Sequence, residues 1–210
     1  MKKIFFSALA IIAITFTACN NNGGKEEPQQ HDMSKMSKDS MPATTVTNDK
    51  EVKAVAVTYT DVNAAAAASI KEIIGQYLYI KNALVTDDGR EAAKGGKEME
   101  EAISKLDKSF LTAEQKKAYD EIEEDLKEHA EHIGKNGGNI GHQREHFSMM
   151  SEDVYDLAKA FGGGKSLYHD HCPMYNHNKG AMWLSETKEV KNPYYGSEML
   201  TCGSVEEVIK

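Results

Sequence analysis

Between Ile70 and Phe161 the apolar residues return at steps of three and four, a spacing that packed helices satisfy and sheets do not. Ile70, Ile73, Ile74, Tyr77, Ile80, Lys81 and Leu84 draw one stripe along a first helix. Asp87-Asp88-Gly89 closes it and offers a cap for the next. Met99, Ile103, Leu106 and Phe110 mark a second stripe, diluted by Gly95-Gly96. Thr112 stands three residues before Gln115, the capping-box spacing, and opens a third helix along Tyr119, Ile122, Leu126, His129 and Ile133. Gly134-Lys135-Asn136-Gly137-Gly138-Asn139 breaks it. A fourth stripe runs through Phe147, Met150, Val154, Leu157, Ala158 and Phe161, up to Gly162-Gly163-Gly164. Four amphipathic helices joined by short connections predict an antiparallel four-helix bundle.

The flanks read differently. Val55-Ala56-Val57-Thr58-Tyr59 alternates and predicts a short strand or extended lead-in. Residues 165–210, with Trp183, Tyr194, Tyr195 and the turn former Asn192-Pro193, hold too few periodic apolar positions to fold alone. They predict a small irregular lobe, rich in cysteine and aromatic residues, with one or two short strands, packed across one end of the bundle. The expected fold class is therefore mainly α, and the functional domain is expected over 61–210.

At the other end, Met1-Lys2-Lys3 precedes the apolar run Ile4 to Phe16, the layout of a secretory signal and too short to span a bilayer. The small pair Thr17-Ala18 runs directly into Cys19, which resembles a bacterial lipobox, with Phe16 where such boxes carry Leu. That resemblance implies cleavage after residue 18, acylation of Cys19 and a lipid anchor in the bacterial envelope. The expected location is the outer membrane, with the domain in the periplasm. Residues 19–60 are expected as a flexible tether, and His31, Met33, Met36 and Met41 within it are loosely spaced soft ligands. The whole chain carries 33 Asp+Glu against 25 Lys+Arg and shows no basic patch, so a nucleic-acid partner is set aside.

Seven of the eight histidines fall between residues 129 and 177. His129 and His132 share a face near the end of the third helix, and His142 and His146 share one at the start of the fourth. Antiparallel packing would bring these four imidazoles together around one connection. Each alone reads better as a hydrogen-bonded side chain or a helix-end charge; together they read as metal ligands. A second constellation is His169-Asp170-His171-Cys172-Pro173-Met174, joined later by Met199 and Cys202. Thiolate and thioether select Cu(I), and thiolate with imidazole also suits Zn(II). Cys172 and Cys202 could equally form one disulfide in an oxidising compartment.

The segment from about Ile70 to Val205 resembles a domain of unknown function found in exported Bacteroidota proteins and at the C-terminus of periplasmic adaptor subunits of heavy-metal efflux pumps. The resemblance rests on Tyr77-Leu78-Tyr79-Ile80-Lys81-Asn82-Ala83-Leu84 and His142-Gln143-Arg144-Glu145-His146-Phe147. Its closing signature is Cys172-Pro173-Met174, Gly180-Ala181-Met182-Trp183-Leu184, Asn192-Pro193-Tyr194-Tyr195-Gly196 and Met199-Leu200-Thr201-Cys202-Gly203. It implies a link to copper or another heavy metal, with an efflux component or other envelope protein as partner. Cys172, Cys202, Met174, Met199, His142 and His146 match its pattern. The expectation is one soft-metal site for sequestration or transfer, in which the two sulfurs meet the helix-end histidines. A disulfide-stabilised interaction domain without metal is the alternative. No arrangement of carboxylates, or of His171 beside Cys172, singles out a catalytic acid, base or nucleophile, so an enzyme is not expected.

Overall fold

The computed structural model describes residues 52–210. The signal segment, Cys19, and the tether residues His31, Met33, Met36 and Met41 lie outside the described residues. The described chain runs through β1 (Lys53–Val55), α1 (Ala64–Val85), α2 (Gly89–Lys105), α3 (Ala113–Lys135) and α4 (Ile140–Phe161). It then passes through β2 (Leu167–Cys172), the single turn α5 (Tyr175–Asn178), β3 (Ala181–Ser185) and β4 (Ser204–Ile209). The domain is mainly helical, with one small four-stranded sheet in the order β1-β4-β2-β3. Among the described residues no helix is long and apolar enough to cross a membrane.

The helix boundaries follow local chemistry. The Asn63 side chain accepts from Ala65 N, and Asp88 accepts from Arg90 N and Glu91 N. Thr112 and Gln115 complete both halves of the capping box, and Asn139 accepts from His142 N. Caps of this kind stabilise a helix by about 1 kcal/mol each. α1 buries every position of its stripe, Lys81 included. Lys81 is no apolar filler, because its Nζ meets Glu186 at 2.9 Å and Ser185 Oγ at 3.5 Å. On α4 the stripe from Phe147 to Phe161 is buried throughout.

Two expectations on the helices need correction. Phe110 leaves the second stripe for a short 3₁₀ turn and is 46 % exposed. Gly95-Gly96 and Gly134 are packing residues: a Cβ on Gly96 would lie 2.6 Å from Gly134 N and 2.7 Å from Ala130 O. α2 and α3 therefore touch backbone to backbone, which only glycine permits.

Contacts between helices join α1 to α2, α2 to α3, α3 to α4 and α1 to α4, and β3 lies against α4. The lobe is more regular than expected. β2 pairs antiparallel with both β3 and β4, with a register shift at His169/Asp170, and β1 pairs parallel with β4. The last part of the expected tether is thus built into the fold. Strand residues 53–55 lie on the sheet, Thr58 N and Tyr59 N donate to Lys159 O and Ala160 O, and the Tyr59 ring packs on Phe161. Tertiary pairing supplies partners that a three-residue strand lacks on its own.

Candidate metal centre

The corner between α3 and α4 is set by polar side chains that close exposed backbone groups. Buried Gln143 donates from Nε2 to Gly89 O at 2.9 Å and to Ile133 O at 3.1 Å. Asn136 Nδ2 donates to His132 O at 2.8 Å. Arg144 reaches the other way, from Nε to Pro193 O and from Nη2 to Leu84 O and Asp87. With the corner held, the last turns of α3 and the first turns of α4 face each other along their histidines.

All four expected imidazoles meet there. His132 and His146 stack with ring centroids 4.0 Å apart, and His142 lies edge-on to both. His129 Nδ1 is 3.2 Å from His146 Nδ1, and His132 Nδ1 is 3.4 Å from His142 Nε2. His132, His142 and His146 each offer one ligand atom, and the three atoms lie within 4.8 Å of one another. Two nitrogens bound tetrahedrally at about 2.1 Å stand about 3.4 Å apart, so the His132–His142 pair already has ligand spacing. The residues fit an imidazole-bound ion.

Electrostatics keep the rings able to bind. Burial, then the neighbouring His132, His142 and His129, pushes His146 down to about 4. Burial also lowers His129, against the pull of Glu128 and Asp125. Both are neutral near pH 7, the form that offers a lone pair. Carboxylates fringe the cluster: Glu128 at 4.0 Å from His132, Glu145 at 3.5 Å from His142, and Asp153 at 3.9 Å from His129. Burial, then Asp125, Glu152 and Asp156, raises Asp153 to about 7. Sequence reasoning missed Asp153, although it continues the His142–His146 side of α4 two turns on.

The sulfurs form a separate pair. Cys172 Sγ and Cys202 Sγ are 2.9 Å apart as free thiols, Cys172 buried and Cys202 half-buried. The contact with Cys172, followed by burial, pushes the Cys202 thiol up to about 11. Asn192 shapes the approach: Nδ2 donates to Cys202 O, and Oδ1 accepts from Tyr194 N and Tyr195 N. Tyr195 feels both thiols and lines a cleft of about 540 Å³ with Glu145, Met149, Tyr175 and His177. Met174 is 48 % exposed and Met199 half-buried.

The two sulfurs converge as expected, and the three-ligand group is made of imidazoles alone. Among the described residues the three-ligand group contains neither Cys172 nor Cys202, and neither His169 nor His171. The reason is α4. His142 and His146 look toward α3, whereas Arg144 and Phe147, about 100° or more around the axis, meet Pro193 and Tyr194 of the lobe. His169 packs on the Tyr155 ring and faces Glu207 at 4.0 Å, and His171 faces Glu206 at 3.5 Å. His169 is the cross-strand partner of Glu207, whereas His171 stands opposite Ser204 and reaches Glu206 off register.

Residues 73–166 match a family described as a protein of unknown function, DUF3347. That span includes α2, α3, α4 and all four clustered histidines, and ends before the thiol pair. Neither the curated proteins nor the solved structures contain a match to the chain.

Proposed function

Taking residues 73–166 as a DUF3347 domain, we propose that this chain binds a first-row transition metal ion, copper ahead of zinc, at the α3–α4 corner. In this reading α1 to α4 form an antiparallel bundle, the sheet is a cysteine- and aromatic-rich lobe against it, and a lipid on Cys19 holds the protein in the bacterial envelope. One observation carries it: three imidazoles, of His132, His142 and His146, offer ligand atoms within 4.8 Å of one another. Imidazole suits both copper and zinc, and carboxylates are only at the fringe. Copper is preferred because the free thiols of Cys172 and Cys202 add a second set of donors that select Cu(I). Two separate donor sets suit sequestration, or transfer to an efflux component or other envelope partner, and no catalytic step belongs to this reading.

Titration of the purified full chain with Cu(I) under reducing conditions, and with Zn(II), against a competing chelator tests it. One tightly held ion is expected to disappear in His142→Ala and His146→Ala, whereas Cys172→Ser removes only a second, Cu(I)-selective equivalent. Failure of the wild-type chain to compete with a weak chelator ends the proposal.

A structural reading of the sulfurs is favoured by their proximity alone. A disulfide closing this 30-residue separation would stabilise the fold by about 3–4 kcal/mol on the chain-entropy estimate. Mass measurement after thiol alkylation of gently isolated protein separates the two: a fully blocked, unalkylated pair supports the structural role.

A further inference from the structure

The polar groups between α3 and α4 continue past the three-imidazole group. His129 lies with its Nδ1 3.2 Å from His146 Nδ1, the two rings inclined at 59°. On its far side His129 Nε2 faces Asp153 Oδ2 at 3.9 Å. That oxygen is buried and has no hydrogen-bond partner. An imidazole has only two nitrogens. His146, with Nδ1 turned to His129, keeps Nε2 as its one nitrogen for an ion. A ligating histidine is ordinarily oriented through its other nitrogen, by a chain that ends on a carboxylate or carbonyl oxygen. His129 and Asp153 stand where such a chain would stand.

From this geometry we infer that His129 and Asp153 are positioning residues that aim His146 at the ion, and not ligands themselves. The proton placement is consistent throughout. His129 donates Nε2–H to Asp153, and its Nδ1 lone pair accepts Nδ1–H of His146. His146 is then left with the Nε2 lone pair for the ion. The 3.9 Å separation exceeds the roughly 2.9 Å of a direct bond, so the bond requires the Asp153 side chain to turn toward His129. The inference rests on the metal-binding reading above, and reassigns His129, expected to be a ligand because it shares a helix face with His132 near the end of the third helix. It also gives the unpartnered Asp153 oxygen a purpose, as the terminal acceptor of the chain.

The test uses the purified full chain, Zn(II) affinity by chelator competition, and Co(II) as a spectroscopic substitute that reports ligand number. His129→Ala and Asp153→Ala are expected to hold the same number of ions as wild type, with an unchanged Co(II) spectrum and affinity weakened about 10–100-fold. Asp153→Asn, whose amide oxygen still accepts from His129, is expected to restore affinity close to wild type. The double variant is expected to be no weaker than His129→Ala, since the two residues act as one unit. A Co(II) spectrum altered in His129→Ala, an affinity unmoved in Asp153→Ala, or an Asp153→Asn as weak as Asp153→Ala each overturns the inference. Should His129→Ala fail to fold, judged by circular dichroism, the two Asp153 variants decide alone. A wild-type chain that takes up no ion defeats the metal reading and this inference with it. Tight wild-type binding that ignores Asp153 defeats only this one.

Discussion

Burial moves His146 and Asp170 in opposite directions, because it penalises the charged form of each. His146 falls from 6.5 to about 4, so between those values the unfolded chain takes up a proton that the folded chain refuses. The stability it contributes is complete above about 6.5 and is lost as pH falls toward 4. Replacing His146 with Gln is therefore expected to flatten the pH dependence of the urea midpoint of metal-free protein across that window. Asp170 is fully buried, neither of its oxygens has a hydrogen-bond partner, and burial raises it to about 7 against the attraction of Lys81. Here the folded chain holds the proton longer, so stability is complete below about 3.8 and declines as pH rises through 7. Asp170→Asn is expected to raise the urea midpoint at pH 8 by the equivalent of about 1–3 kcal/mol, with no gain at pH 4. Neither environment was legible in the sequence. Asp170 stood between two candidate histidine ligands there, and only the packing of the sheet on α1, near Lys81 and Tyr77, takes it out of water.

At the scale of elements, helix existence was read well because the stripes are long and the caps are local. Thr112→Ala is expected to lower stability by about 1 kcal/mol in thermal or urea unfolding, since it removes the capping box of α3. Glycine was read less well, because its role depends on what lies opposite. Gly75 and Gly96 both sit inside helices, yet a Cβ on Gly75 meets nothing within 4 Å, whereas one on Gly96 strikes the backbone of α3. Gly75→Ala is expected to stabilise by about 0.5–1 kcal/mol through helix propensity. Gly96→Ala is expected to destabilise by about 1–3 kcal/mol by overpacking the α2–α3 contact. Parallel urea titrations of the two variants check both signs, and equal shifts would contradict the backbone contact.

Across the whole molecule, the boundary at residue 61 is too late. A chain starting there loses β1, its Lys53–Glu207 ion pair and the Tyr59–Phe161 contact. It is expected to melt below the chain starting before Val52, with faster hydrogen exchange in β4, its newly bared edge; equal melting temperatures would show that β1 contributes nothing. The sequence by itself determined the four helices, the caps at the starts of α2 and α3 and the meeting of four histidines at one corner. Each depends on residues three or four apart, or on a short connection that leaves the chain little choice. Tertiary structure alone decided that α4 turns Arg144 and Phe147 to the lobe and its histidines to α3, that β1 pairs with a strand some 150 residues away, and that Asp153 faces His129. Those facts depend on which side of an element is turned toward which neighbour, and that is settled by the packing of the whole core.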